Sequence, residues 1–527
     1  MHRIIYLLTI IAELVLDISY SIGQSRWVNV YHNEIDAPLE FFIESYDNGY
    51  LLSGKHGANY SKYNWLIKTD INGDILWEKT IGNGINSIVF LDMVQDISGN
   101  TYLGGSTKAY DPDGDPLIMK INPCGEKQWC RVFYTENNHD FSSCFAITPE
   151  GETVIVLNYT NPEPWVDRIC LAKLSTDGDL AWKHCYTSAD TSQQNEDSYD
   201  LILTPDHGFL VTGFCYYEDP TYPNHWIPHP YFLKVDSMGN FEWETVVYKE
   251  TNLGGGVAGS TVISPNMQFY YSSISHFYYD TNLTSPALVK MDMDGNVLDV
   301  YDVVYGYKYG KLSYAQFLND SILAASAGWG NTEADLWSRA VIIDTLGNLL
   351  NSTVLMEDLY TSILQVTYDG KLLYASNTYQ NDQFDCYLAK LNENLEEDTL
   401  YTMPFTYDSL CPYQIVSDTI VQDDCGLIVG IEEEEGMEAW GQGGLEIWPN
   451  PAREQIHVRF YMDDGRFNKD LGLEIYDIFG REVKEIKVPI KQNEVQINVE
   501  GYPTGIYLIL LKGGQNIRAS AKFVIAR

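Results

Sequence analysis

Basic residues are scarce in this 527-residue chain: 33 Lys and Arg stand against 73 Asp and Glu, a formal net charge of −40. A field of that sign disfavours nucleic acid and anionic lipid and suits cations or basic partners. The nine cysteines contain no C-x-x-C, which argues against a zinc knuckle or a thioredoxin-like motif. There is no G-x-S-x-G, no H-E-x-x-H and no phosphate loop, so no familiar catalytic motif assigns a reaction. Long apolar runs are missing too. Past the N-terminal segment nothing approaches the roughly 20 apolar residues that span a bilayer. Residues 1–23 combine Arg3, an apolar stretch from Ile4 to Leu16 interrupted by Glu13, and Ser19, Ser21 and Gly23 before Gln24. That layout is a secretory signal peptide. A soluble exported protein is expected, in a compartment that permits disulfides.

What is present is 45% hydrophobic and 13% aromatic, enough for more than one domain with its own core. The acid is unevenly spread: residues 24–444 hold 60 acidic and 20 basic residues, whereas 445–527 hold 11 and 12. An acidic linker, "IEEEEGMEAWGQGG" (431–444), separates the two regions.

The larger region is periodic. "LIKTDINGDILWEKTIG" (66–82) recurs with glycines at Gly73, Gly125, Gly178, Gly239, Gly295 and Gly347 and with Leu395 at the seventh position, at spacings of 52, 53, 61, 56, 52 and 48 residues. Three residues earlier stand Asp70, Asn122, Ser175, Asp236, Asp292, Asp344 and Asn392. An Asp, Asn or Ser that accepts from turn amides, followed by a left-handed glycine, marks a three-residue hairpin loop with a type I turn. Asp70–Asp74 is therefore a turn rather than a cation loop. A second hairpin precedes each one, as in "ESYDNGYLLSG" (44–54), giving four short strands per copy. Seven copies of about 50 residues predict a seven-bladed β-propeller over 24–430. Trp77, Trp129, Trp182 and Trp243, four residues after the glycine, read as blade-packing residues.

The three-residue loop pairs Cys170 with His184 and sets Cys170 and Cys185 on opposite faces, so no bridge is expected between them; Cys411 with Cys425 is the better pair. The longer second-to-third-strand connections lie opposite the tight turns and are rich in aromatics, as in "CYYEDPTYPNHWIPHP" (215–230) and "GWGNTEADLW" (328–337). Trp165, Tyr216, Tyr217, Trp226, Tyr278, Tyr279, Trp329 and Trp337 form the expected ligand-contact set, suited to stacking on a glycan or a protein. Asp111, Asp113 and Asp115 in "DPDGDP" alternate as Ca²⁺ ligands do, without the glutamate of an EF-hand, so an acidic turn is the reading set beside a bound Ca²⁺. His225 and His229 are four apart, but Pro228 disfavours the helix that would align them for zinc.

Residues 445–527 read as about seven alternating strands, an immunoglobulin-like β-sandwich. They resemble the type A C-terminal sorting domain of the Bacteroidetes type IX (Por) secretion system. The residues that carry the likeness are Pro449, Asn450 and Pro451, Tyr476 and Gly480 in "IYDIFGREV", Pro503, Gly505 and Tyr507 in "YPTGIYLILL", and Lys522 in the terminal "KFVIAR". The resemblance implies recognition by the type IX machinery, passage across the outer membrane and removal of the domain. The repeats resemble those of exported propeller proteins of the Bacteroidetes. They are also similar to the tryptophan-docking repeats of quinoprotein propellers, but seven copies, no adjacent cysteine pair and three copies without Trp leave no support for that cofactor. Binding at the cell surface or outside it, rather than catalysis, is the expected function. The rivals are a glycosidase or lyase using carboxylates in the funnel, and a structural adhesin with no discrete pocket.

Overall fold

The computed structural model describes residues 26–32, 38–56, 63–112, 114–135, 140–142, 144–162, 165–186, 188, 193–218, 226–248, 254–332, 337–356, 363–380, 383–402, 410–421, 424–428, 445–448, 452–453, 455–460, 471–477, 481–488, 494–503, 505–513 and 516–525. The expected signal peptide, residues 1–23, lies outside them. Two compact units divide the chain at 431/432.

In the first unit, seven sheets follow one another along the chain, each an antiparallel meander of four strands. Blade 1 comprises Leu39–Glu44, Tyr50–His56, Tyr63–Thr69 and Ile75–Ile81. Blades 2 to 6 occupy 88–133, 145–185, 193–246, 254–302 and 309–356. Blade 7 takes three strands from 363–391 and its outer strand from Val28–Tyr31, which pairs Val28 with Ala389 and Tyr31 with Cys386. The first strand of each blade neighbours the first strand of the next, and that of blade 7 neighbours that of blade 1. The inner strands thus close a ring, the arrangement of a β-propeller, in which closure removes sheet edges around the axis.

All seven repeat turns close by one mechanism. Asp70 Oδ1 accepts from the amides of Asn72 and Asp74, both at 2.8 Å, and the same two bonds recur at Asn122, Ser175, Asp236, Asp292, Asp344 and Asn392. Leu395 takes the left-handed conformation of the glycines, with φ 63° against 74–83° for the other six. Glycine is the common choice for a second reason: the aromatic of the preceding blade rests on it. A Cβ on Gly178, Gly239 or Gly295 would stand 2.5–2.8 Å from the rings of Trp129, Trp182 or Trp243 respectively. Trp129 Nε1 also donates to Thr176 O at 3.0 Å. At the closure, Trp27 Nε1 donates to Ile71 O at 2.8 Å and Tyr31 OH to Gly73 O at 2.7 Å. The tryptophans therefore pack blade on blade.

Around the axis, inner-strand side chains take up backbone groups of the next blade. Asp92 accepts from Phe145 N at 3.1 Å, Asp200 from Thr261 N at 2.7 Å, Ser260 from Ala315 N at 3.2 Å and Gln316 from Val366 N at 2.7 Å; Gln365 donates to Phe42 O at 3.0 Å. Buried amides need such partners because an unsatisfied one costs about 1–3 kcal/mol.

After blade 7 the chain returns along the outside as a strap. Asp418–Ile420 adds in parallel to the outer strand of blade 1, and Gly426–Ile428 to that of blade 2. Two disulfides pin it to blade 2, Cys124–Cys411 and Cys130–Cys425, separated by 287 and 295 residues. This corrects the expected Cys411–Cys425 pair: each cysteine of the strap faces the blade beneath it. In the chain-entropy account a first closure of that length is worth about 5 kcal/mol, and the second, completing a ring of some twenty residues, about 3. The third bridge, Cys170–Cys185, is also a correction. The turn is the predicted three-residue loop, but a bulge follows at once: Leu174 pairs with Leu180 and Lys173 with Trp182, which brings Cys170 opposite Cys185. The same shift occurs beside the equivalent turns of blades 1, 2, 4, 5 and 6. Cys144, Cys215 and Cys386 are buried outside these bridges.

The second unit has two sheets, one of three strands and one of four, that share a core including Ile456, Val458, Ile475, Ile497, Tyr507, Ile509 and Phe523.

Burial pushes the carboxyls of Asp92, Glu44 and Glu196 up to about 7 and those of Asp200 and Asp115 up to about 6. Folded values above the unfolded ones mean that the folded chain holds more protons between pH 4 and 7. That contribution to stability is complete below the unfolded values and is lost as pH rises through about 6–7. The melting temperature is expected to fall between pH 5 and pH 8, with Asp92→Asn flattening the slope; a melting temperature that rises over this interval would contradict the assignment.

Candidate ligand-binding rim

The connections read as aromatic loops are largely strands. Central strands of blades 1 and 2 are seven residues long, whereas those of blades 3, 4 and 5 run to ten, from Thr153–Pro162 and Trp165–Leu174 to Phe269–Tyr278 and Leu283–Asp292. In blade 6 they are nine and eight, Ile322–Gly330 and Trp337–Asp344. The prolines of the blade 4 stretch sit where they cost no ladder bond to the outer strand. The outer strand of blade 4 ends with Val246 opposite Tyr231, so Pro228 and Pro230 lie past it. Blades 3 to 6 thus raise a rim on the face opposite the tight turns.

The eight expected contact residues all fall on or beside this rim, in different settings. In blade 4, Tyr217 donates to Gln193 Oε1 at 2.9 Å and meets His229 edge-on at 5.5 Å, while Tyr216 meets Phe214 at 5.3 Å. Trp226 opens the next strand opposite Glu218 and is 37% exposed. In blade 6, Trp329 pairs with Trp337 across the ladder. Trp329 is buried under the Arg339 guanidinium, 4.2 Å from its ring, whereas Trp337 is 38% exposed. Arg339 donates to Trp337 O at 2.8 Å and fixes the pair. In blade 5, Tyr279 packs on Phe277 at 5.5 Å. Trp165 begins a strand of blade 3 opposite Pro162.

Tyr278 belongs to a cluster that sequence reading did not assemble. Its hydroxyl donates to Asp302 Oδ2, and the other oxygen of Asp302 takes His276 Nδ1 at 2.9 Å. The His276 ring stacks on Tyr248 of blade 4 at 4.7 Å and 8°. Tyr305, more than half exposed, meets Tyr278 edge-on at 5.1 Å. Burial, then the Asp302 carboxylate, raises the Tyr248 and Tyr278 phenols. The available signal was the alternation of His276 and Tyr278 along one strand, which puts them on one face. From Trp226 through Tyr305 to Trp337, blades 4 to 6 therefore present exposed aromatics over a hydrogen-bonded base.

The axis offers a second group. Asp92 and Asp200, each half-buried, stand on the inner strands of blades 2 and 4, where burial raises both carboxyls and the Asp200 charge raises that of Asp92 further. Tyr314 faces them from blade 6, with left-handed φ of 51° beside a bulge, and its ring lies 6.4 Å from Phe41 of blade 1. Both aspartates also serve as the interblade acceptors described above.

The suggested cation loop is different from its sequence reading. Asp111 and Asp115 are buried, Asp115 opens a strand opposite Thr107 and accepts from Thr135 N at 3.2 Å, and Asp113 lies outside the described residues. Among the described residues no three His, Cys, Asp or Glu are arranged to hold a metal ion. His225 lies outside the description, and His229 is buried with Nδ1 at 3.2 Å from Val247 O.

In the C-terminal unit, Pro449, Asn450, Pro451 and Gly480 lie outside the described residues. Tyr507 is core: its hydroxyl donates to Pro503 O at 2.8 Å and its ring stacks on Phe523 at 5.5 Å. Tyr476 donates to Glu474, Gly505 opens the central strand and Lys522 pairs with Leu508.

Residues 446–526 match the family model described as a secretion system C-terminal sorting domain. No curated protein matches the chain. Among solved structures it is similar to the Dos1 propeller, at 12% identity over 69% of this chain and 81% of that one with TM-score 0.41. It is similar to a protein of unknown function from Dyadobacter fermentans DSM 18053, at 10% identity over 70% and 98% with TM-score 0.41. The polysaccharide lyase Uly1 is likewise similar, at 10% identity over 69% and 91% with TM-score 0.41. Likenesses this distant carry no statement about activity. The C-terminal match does establish the route: the chain carries a type IX secretion sorting domain and is delivered to the cell surface or the extracellular space.

Proposed function

We propose that the exported propeller is a binding protein whose ligand, a glycan or a protein surface, lies across the raised rim of blades 4 to 6. The observation that supports this reading is the exposure of Trp226 and Trp337 at strand ends and of Tyr305 on the connection between blades 5 and 6, beside aromatics locked by Arg339, Gln193 and Asp302. Rigid aromatic faces stack on sugar rings or apolar side chains at little entropic cost, and the polar groups beside them set orientation. A glycan array followed by titration tests it. Trp337→Ala and Trp226→Ala are expected to weaken binding about thirty-fold, the 2 kcal/mol of a buried anchor, with the melting temperature unchanged. An array without any saturable ligand would remove the glycan version, and unchanged affinity in both variants would remove the rim.

A second reading, a carboxylate-dependent glycosidase or lyase, is favoured by one observation: Asp92 and Asp200 have carboxyls near neutrality beside Tyr314 on the axis. Groups poised there can exchange protons at working pH. Polysaccharide cleavage that Asp200→Asn abolishes in a folded protein would establish it. Their bonds to the Phe145 and Thr261 amides account for both acids without catalysis, and binding remains the preferred function.

A further inference from the structure

Sheet edges invite pairing unless they are short, charged or covered. The outer strands of this propeller use these defences except at one blade, whose edge is interrupted only by bulges at Leu350 and Leu355 against its inner neighbour. Blades 1 and 2 are covered by the strap. The outer strands of blades 3, 4 and 5 carry Lys183, Glu242 and Glu244, and Asp299 and Asp302 respectively. That of blade 7 has four residues and docks on blade 1 through Asn29 and Tyr31. The outer strand of blade 6, Leu349–Met356, is the longest of the seven at eight residues, "LLNSTVLM", and contains no charge and no proline. Among the described residues no strand lies beyond it, and Leu349, Leu350 and Val354 are 37%, 54% and 43% exposed.

We propose that this edge pairs antiparallel with the same edge of a second copy across a two-fold axis, joining two four-stranded blades into one eight-stranded sheet. The charge balance selects the occupant. A basic partner would be drawn to the acidic surface, not to an uncharged strip, whereas two chains of net charge −40 can approach where both are neutral over a whole strand. An isologous contact requires a self-complementary surface, and a strand with Leu or Val near both ends and Asn, Ser and Thr between supplies one in antiparallel register. The strap demonstrates that outer edges of this propeller accept an added strand.

Sedimentation velocity of the full chain at about 0.1 M and about 1 M salt tests the pairing, because shortening the screening length from about 10 Å to 3 Å removes repulsion between the acidic bodies. A dimer that strengthens with salt is expected. Leu350→Lys, at an exposed position, is expected to weaken association at least about tenfold, or 1.4 kcal/mol, with an unchanged circular dichroism spectrum. Leu298→Lys on the already charged edge of blade 5 is expected to leave association as it was. A monomer at both salts up to about 100 μM, where even weak edge pairing registers, would overturn the proposal. So would a dimer indifferent to Leu350→Lys, or one lost equally with Leu298→Lys.

Discussion

The ring depends on one repeated contact, a side chain of one blade seated on the turn of the next, which at three junctions is a tryptophan ring. The turn must expose bare backbone for the ring to lie flat, so the left-handed position is glycine at six of seven copies, and the Asp, Asn or Ser before it holds the loop in shape. Sequence identity can drift elsewhere because this unit is local: a turn, a glycine and a tryptophan four residues on. At the other junctions the seat is filled otherwise. Tyr301 of blade 5 covers Gly347, and at the closure Asn29 and Tyr31 cover Gly73. Between blades 1 and 2 the aliphatic stem of Lys79 meets Gly125 while its ammonium reaches Asp418 of the strap at 2.5 Å. There the covalent strap reinforces the junction.

Much of this was legible in the residues. The turn chemistry, its seven-fold recurrence and the role of the tryptophans follow from local rules about Asp, Gly and strand alternation. What escaped was non-local or off by one. A bulge beside six of the seven turns is invisible in spacing, yet it shifts register by one residue and so decides whether Cys170 meets Cys185. The strap pairs residues nearly 300 apart, a choice made by three-dimensional packing that no spacing encodes. The aromatic stretches read as loops in the sequence, whereas central strands of up to ten residues carry much of them, and Pro228 and Pro230 fit there because the outer strand ends before them. The His276–Asp302–Tyr278 cluster draws on two strands of one blade and on Tyr248 of its neighbour, so only the register brings it together.

Structure and route fit one another. A ring that closes on itself, cross-links over long separations and a separate small domain that carries the address suit a protein delivered outside the cell. The acidic groups divide by position. Those on the turns hold backbone, those at the axis join blades, and the many at the surface keep an extracellular protein soluble. The rim of blades 4 to 6 departs from this economy, with exposed indoles and a hydrogen-bonded aromatic cluster where solubility alone would ask for charge.

The most direct measurement is a comparison of two glycine variants by urea unfolding. Gly178 and Gly370 have similar left-handed backbones, φ 79° and 74°, but a Cβ at Gly178 would meet the Trp129 ring at 2.8 Å, while nothing lies within 4 Å of one at Gly370. Both alanine variants lose the same backbone preference, roughly 1 kcal/mol. If docking on bare backbone holds the ring, Gly178→Ala loses a further 1–3 kcal/mol or so from overpacking. Equal losses in the two variants would contradict the account.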